Sequence, residues 1–310
     1  MKMKYFLFFL VSLWFFSASA QGCSDAGFCT MGAMKPDQNY NKRIDFKLRS
    51  ISIQYYRGKT TLSPVIDAIT LDAVIAVGEL SSIQFKVPYQ RVEGDLGSVE
   101  GWGDISLSFT RRLIAKDQFS ISGTLGGKIP TNKSRATDSE GLALPMYYQT
   151  SLGSYDVVAG LSLLSKKWLV AVGYQQALTR NENDFNYGEW VTWQDKEYLG
   201  GYDVGIGLLR GIDLMLRLER NFRFVNYSFN LGVLPIYRIT PDKGIIRARD
   251  DGGSMQTTGL ALSALGGFSY FFDVNNTVRL IYGHKITDRE ANPDGLTRDW
   301  VFNLTYEIRF

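Results

Sequence analysis

The sequence predicts an all-β protein, a transmembrane antiparallel up-and-down β-barrel of about 14 strands with 12 as the alternative count. Three observations predict it. Segments of about ten residues that alternate polar and apolar side chains recur between turn residues from position 44 to position 310. Their apolar faces often end in Trp, Tyr or Phe, while the opposite faces carry Lys, Arg and Glu. No stretch after residue 20 approaches the ~20 consecutive apolar residues of a spanning helix, so any crossing of a membrane falls to strands.

The last segment shows the pattern most clearly. Successive side chains of a strand point to opposite faces. Trp300, Phe302, Leu304, Tyr306, Ile308 and Phe310 therefore share one face, and Val301, Asn303, Thr305, Glu307 and Arg309 share the other. A wall between lipid and a wet lumen needs this division. Tyr306 and Phe310 are read as the C-terminal membrane-insertion signal, with the barrel-assembly machinery as the partner that recognises it.

In chain order, residues 1–20 read as a secretory signal peptide. Lys2 and Lys4 precede a nearly all-apolar run over residues 5–16, and Ser17-Ala18-Ser19-Ala20 supplies a small-residue cleavage site. Residues 21–43 are expected to be a periplasmic or plug segment ahead of a barrel over residues 44–310. Cys23 and Cys29, in an exported chain, are expected to close a small disulfide loop. They lack a His or carboxylate at ligand spacing, so no metal is implied.

Period-two reading places strands over residues 44–56, 66–77, 82–92, 103–114, 119–129, 146–164 and 168–179. It continues with 202–209, 214–222, 227–239, 244–250, 257–272, 277–289 and 296–310. Outer-membrane barrels pair short periplasmic turns with longer outside loops. On that rule residues 78–81, 115–118, 165–167, 210–213, 240–243 and 273–276 are inner turns. Residues 57–65, 93–102, 130–145, 180–201, 223–226, 251–256 and 290–295 are then outer loops, of which only 223–226 is as short as a turn. A soluble β-sandwich also alternates; apolar faces continuous to strand ends often capped by Trp, Tyr or Phe, opposite faces that carry charges such as Lys86, Arg217, Glu219 and Arg279, and a chain that ends in mid-strand on Phe310 together count against it.

The sequence offers little for catalysis. His284, the one histidine, shares the outward face with Val278, Leu280, Tyr282 and Ile286, where a general base would meet lipid and no nucleophile. A membrane-embedded lipase is the enzyme alternative, and no cofactor is implied. The formal charge of +3 falls close to neutral once Lys2 and Lys4 are removed, so nothing points to nucleic acid. Arg49, Asp72, Lys86, Arg217, Glu219, Arg238, Arg279, Glu307 and Arg309 fall on the lumen side by parity. They either contact solute or pack a narrow lumen as pairs, and their mixed signs argue against strong ion selectivity. In the 180–201 loop, Tyr187, Trp190 and Trp193 are candidates for capturing ligand from outside, or for anchoring at the lipid interface.

Four short motifs carry a resemblance. Val87-Pro88-Tyr89, Gly101-Trp102-Gly103-Asp104-Ile105, Gly127-Lys128-Ile129-Pro130-Thr131-Asn132 and Leu152-Gly153-Ser154-Tyr155-Asp156 resemble the outer-membrane barrels of the MetA-pathway-of-phenol-degradation family. That family is similar to the FadL-type transporters of hydrophobic compounds. The resemblance covers residues 87–178 and implies a monomeric barrel whose N-terminal segment folds into the lumen. It also implies an outer-membrane channel for small, hydrophobic or aromatic solutes, and no ligand-binding residue transfers with it. The competing expectation is a structural or adhesion barrel without transport.

Overall fold

The computed structural model describes Met31, Met34, residues 47–191, Trp193, and residues 195–247 and 256–310. The expected leader over residues 1–20 and the Cys23–Cys29 loop lie outside the described residues. The strands are β1 (Lys47–Lys59), β2 (Val65–Val77), β3 (Ser81–Gly94), β4 (Gly97–Trp102), β5 (Ile105–Ala115), β6 (Phe119–Ile129), β7 (Asp156–Ser165) and β8 (Trp168–Ala177). They continue as β9 (Val204–Leu209), β10 (Asp213–Arg223), β11 (Tyr227–Arg238), β12 (Lys243–Arg247), β13 (Gly259–Phe271), β14 (Asn276–Thr287) and β15 (Trp300–Arg309).

All pairings are antiparallel, and the sheet closes on itself as a 12-strand barrel. Closure is made by β1 on β15, in register from Ser50 opposite Arg309 to Lys59 opposite Trp300. The count is 12 and not 14 because β9 and β12 pair only with each other, as a ribbon outside the main sheet. The strands expected over residues 202–209 and 244–250 are therefore met, over Val204–Leu209 and Lys243–Arg247, by strands of a separate ribbon and not of the barrel wall. Period two describes a ribbon and a barrel wall equally well.

Removing those two strands reverses the assignment of three connections. Residues 223–226 form an inner turn, while 210–213 and 240–243 lie at the outer end beside the ribbon. The turns at one end are then residues 78–80, 116–118, 166–167, 224–226 and 272–275, and the described residues of the excursions over 130–155, 178–212, 239–247 and 288–299 lie at the other. Every connection at the first end is short, and all the long ones lie at the second, which also carries the shorter connections 60–64 and 95–96, so we call these the inner and outer ends.

Two more boundaries differ from the sequence reading. Residues 93–102 form the tip of a strand pair, β3 with β4, and are not a loop. The strand expected from residue 146 begins at Asp156, because Met146–Tyr148 is a buried single turn of 3-10 helix. β4 and β5 share one position in the wall and are separated at Gly103 and Asp104. Pro88 on the facing strand has no N–H for the ladder, and the chain opposite takes up one extra residue there while Gly103 N donates to Pro88 O at 2.8 Å.

The two faces of the wall differ as a membrane barrel requires. Outward side chains include Ile53, Ile69 and Leu125 at 57%, 59% and 62% exposure, apolar surface whose contact with water costs about 25 cal/mol per Å². A continuous band of this kind is stable against lipid. Inward positions carry Ser52, Gln54, Asp72, Gln84, Lys86, Ser106 and Ser108, all buried. The last strand obeys the same rule, with Tyr306 and Phe310 outward and exposed.

Candidate functional site: the barrel lumen

The lumen is built in three levels. At the outer level, long loops fold back into the mouth and bury their aromatics against the upper wall. Phe185, Trp190, Leu199, Tyr202, Tyr147 and Tyr148 form one core with Tyr56, Ile66, Val92 and Val301 of the strands. Edge-on ring contacts run from Phe185 to Tyr202 at 6.4 Å and from Trp190 to Trp193 at 5.9 Å. The capture candidates thus meet one another and the wall: Trp190 is 3% exposed, and Tyr187 and Trp193 are partly buried against the same core. In this structure Trp190 is packed inside the mouth core, and Tyr187 and Trp193 keep part of their surface outside it.

Hydroxyls stitch this core together. The Tyr198 hydroxyl donates to Ser63 Oγ at 2.5 Å and lies 2.9 Å from the Tyr202 hydroxyl, and Leu96 N donates to the Tyr148 hydroxyl at 3.0 Å. Burial pushes the Tyr147, Tyr148 and Tyr202 phenols above their ordinary range, so they stay protonated and able to donate.

Beside the core, charges cross-link the loops to the strands. Arg238, 1% exposed, donates to Asp213 at 2.9 and 2.7 Å, to both oxygens of Asp242 at 2.9 Å, and to Asp294 at 2.8 Å. Arg289 adds a contact to Asp294 at 3.5 Å. Burial opposes ionisation of Asp294, but Arg238, Arg289 and Arg210 outweigh it and hold its carboxyl below the usual carboxylate range. A second knot joins Arg210 to Asp156, which also accepts from Gln175 and from Ser154.

The middle level has two unlike walls. On β1 to β3, Asp72 accepts from Gln54 at 3.0 Å and Gln84 at 2.9 Å and faces Lys86 at 3.8 Å. On the opposite arc, Val158, Ala171, Met215, Leu234 and Leu265 form an apolar strip, and Met31 and Met34 lie buried on it. Glycines make room for both. A Cβ at Gly126 would stand 2.8 Å from Met31 Sδ, and one at Gly160 would stand 2.9 Å from Met34 Sδ.

At the inner level, Arg217 is paired with Glu219, Arg309 with Glu307 at 2.7 Å, and Arg279 with Glu307 at 3.8 Å. Arg49 is half-buried there, within electrostatic reach of Arg112, Arg309 and Glu307. Eight of the nine charged positions assigned inward by parity are buried or ion-paired on the lumen side, and Arg49 is half-buried at a β-bulge. Sequence reasoning missed Lys128, Asp156, Arg210, Asp213, Asp242, Lys285 and Asp294. Parity could have found those on strands, whereas nothing marked the loop residues.

A cavity of about 90 Å³ remains between the polar wall and residues 149–152 and 296–298. Ile66, Pro88, Leu152 and Leu296 line it together with Lys86, Asp104 and Arg298. It is smaller than the ~150 Å³ that holds a benzene ring, so an aromatic solute fits only if the loops move.

With this geometry in place, comparison with solved structures is informative about the architecture. An outer membrane channel from Pseudomonas putida F1 superposes with a TM-score of 0.62 at 15% identity, covering 88% of this chain and 99% of that one. The two share a fold. The translocator domain of the autotransporter NalP from Neisseria meningitidis reaches a TM-score of 0.48 at 11% identity over 88% of this chain and 90% of its own, too distant to carry an inference. No protein-family model matches the chain, and no curated protein does. The resemblance over residues 87–178 thus rests on its four motifs alone.

His284 points outward, stacked on Tyr282 at 6.3 Å, and among the described residues no three His, Cys, Asp or Glu side chains form a metal-binding group.

Proposed function

We propose that this protein is an outer-membrane channel for the uptake of small, hydrophobic or aromatic solutes. One observation carries the reading: Met31 and Met34 occupy an apolar strip in a lumen whose described charges are mostly paired. A thioether side chain is a soft, adaptable filler that favours aromatic contacts, so a small apolar solute can replace it at little cost. Paired charges leave the lumen without a strong field, which suits a neutral solute better than an ion.

In this reading the segment carrying Met31 and Met34 is a displaceable plug, and the outer core is a lid. Solute reaches the cavity beside Asp104 and Arg298, passes the loosened loops, and then competes with the methionines for the apolar strip. Lumen residues such as Asp72, Lys86, Arg217 and Glu219 keep the wall hydrated and rigid and do not bind solute tightly. Tyr306 and Phe310 are proposed as the outward signal that the barrel-assembly machinery reads, and residues 1–20 as the leader that delivers the chain to it.

The test is uptake into liposomes carrying the refolded protein, with toluene and phenol compared against glucose and chloride. The reading expects the protein to speed uptake of the aromatic solutes over that in empty liposomes by a larger factor than it speeds uptake of glucose or chloride. Uptake no faster than in empty liposomes would overturn it. That outcome would favour the second reading, a closed structural barrel, which the dense aromatic core at the outer mouth supports.

A further inference from the structure

We propose that one arc of the inner rim is a binding surface for anionic phospholipid headgroups. Arg220 lies on the outward face of β10, level with the cross-strand partner Trp168. Its guanidinium sits 4.9 Å from the Trp168 ring centre and 5.7 Å from that of Phe222, and both rings are exposed. A cation held on two lipid-facing rings, with no carboxylate in contact with it among the described residues, is placed where the bilayer's phosphates run.

The arc continues on both sides of Arg220 through adjoining strands. Lys166 and Lys167 form the exposed turn before Trp168, and Asn221 N donates to Lys167 O at 2.7 Å, which fixes that turn against β10. On the next hairpin, Phe119 pairs with Ser165 and lies under Lys116 at 5.7 Å. Lys116, Lys166, Lys167 and Arg220 thus stand along neighbouring strands, each beside an exposed or half-exposed aromatic or in the turn next to one. Asp117 is the only outward carboxylate among the described residues of this stretch.

Position decides the partner. These cations belong to the end with short turns, which in an outer-membrane barrel faces the phospholipid leaflet. Basic side chains at a membrane surface attract anionic lipid, and rings beside them hold the acyl boundary. The chemistry recognised is a phosphodiester with two acyl chains, as in phosphatidylglycerol, and not free phosphate, because half of the surface is apolar.

Native mass spectrometry of the full-length protein, delipidated and then supplied with equal dioleoyl phosphatidylglycerol and dioleoyl phosphatidylcholine, tests this. The wild type should retain the anionic lipid preferentially, with no displacement by inorganic phosphate. The triple variant Lys166→Gln, Lys167→Gln, Arg220→Gln should lower that preference by about fivefold or more, whereas Lys47→Gln, on the far side of the rim, should leave it unchanged. Equal retention of both lipids by the wild type, displacement by phosphate, or the same loss in Lys47→Gln would overturn the proposal. Should the triple variant fail to refold, quenching of tryptophan fluorescence in the wild type by brominated phosphatidylglycerol and brominated phosphatidylcholine replaces it. Stronger quenching by the anionic lipid supports the arc, and equal quenching contradicts it.

Discussion

The outer mouth and the middle of the lumen are both filled, but by different means. At the mouth, loops from four parts of the chain are bound by a shared aromatic core and by Arg238, whose contacts reach Asp213, Asp242 and Asp294. In the middle, Met31 and Met34 rest on an apolar strip, and their described contacts are van der Waals ones apart from a backbone bond between the two residues. The difference teaches which obstruction is cheap to move. Directional bonds to buried charges resist removal strongly, while apolar side chains on an apolar surface can be exchanged for an apolar ligand.

The largest expected effect follows from Arg238. Arg238→Ala leaves buried carboxylates without their cation and should cost about 3–5 kcal/mol of unfolding stability. The outer loops should become sensitive to protease while the inner turns stay resistant. Equal sensitivity at both ends, followed by limited proteolysis, would break the contrast.

Phe185→Ala comes next, since it empties a fully buried site in the mouth core and should cost about 3 kcal/mol. A chemical denaturation series would read it. At the middle level, Met34→Ala should cost less, below about 2 kcal/mol, because the segment bearing it is proposed to leave its seat in function. A loss as large as that of Phe185→Ala would show the segment to be a fixed part of the fold.

The smallest effect is that of pH. Asp294 has a depressed pKa in the folded chain, so its contribution to stability is present above the unfolded aspartate value of about 3.9 and is lost only as pH falls through a lower value. Asp242 is shifted the other way by burial, so its contribution is present in acid and fades as pH rises through its raised value. The two oppose one another. Melting temperature and protease resistance of the outer loops should therefore change little between pH 7 and pH 4.5, with loss of the Arg238–Asp294 contact only in stronger acid.

Much of the wall was legible in the sequence because parity is a local property. Asp72 and Lys86 were assigned to the lumen from their neighbours alone, and the structure sets them directly opposite each other on β2 and β3. Strand count was not legible, since residues 204–209 and 243–247 have the same period whether they join the barrel or each other. The mouth was hidden for a different reason: Arg210, Asp242 and Asp294 are polar residues in loops, where solvation is the ordinary outcome. Only tertiary folding shows that they turn inward and pair. Tyr187, Trp190 and Trp193 illustrate the same limit, for an aromatic loop can catch a ligand or fill a core.

Single-channel conductance in planar bilayers tests the central claim most directly, with the wild type compared against Met31→Asp, Met34→Asp. Two carboxylates cannot rest on the strip of Val158, Ala171, Met215, Leu234 and Leu265, so the segment should leave it. The account predicts a conductance several-fold higher in the double variant, with unchanged heat-modified mobility on gels showing an intact barrel. A conductance equal to that of the wild type in an intact barrel would contradict it.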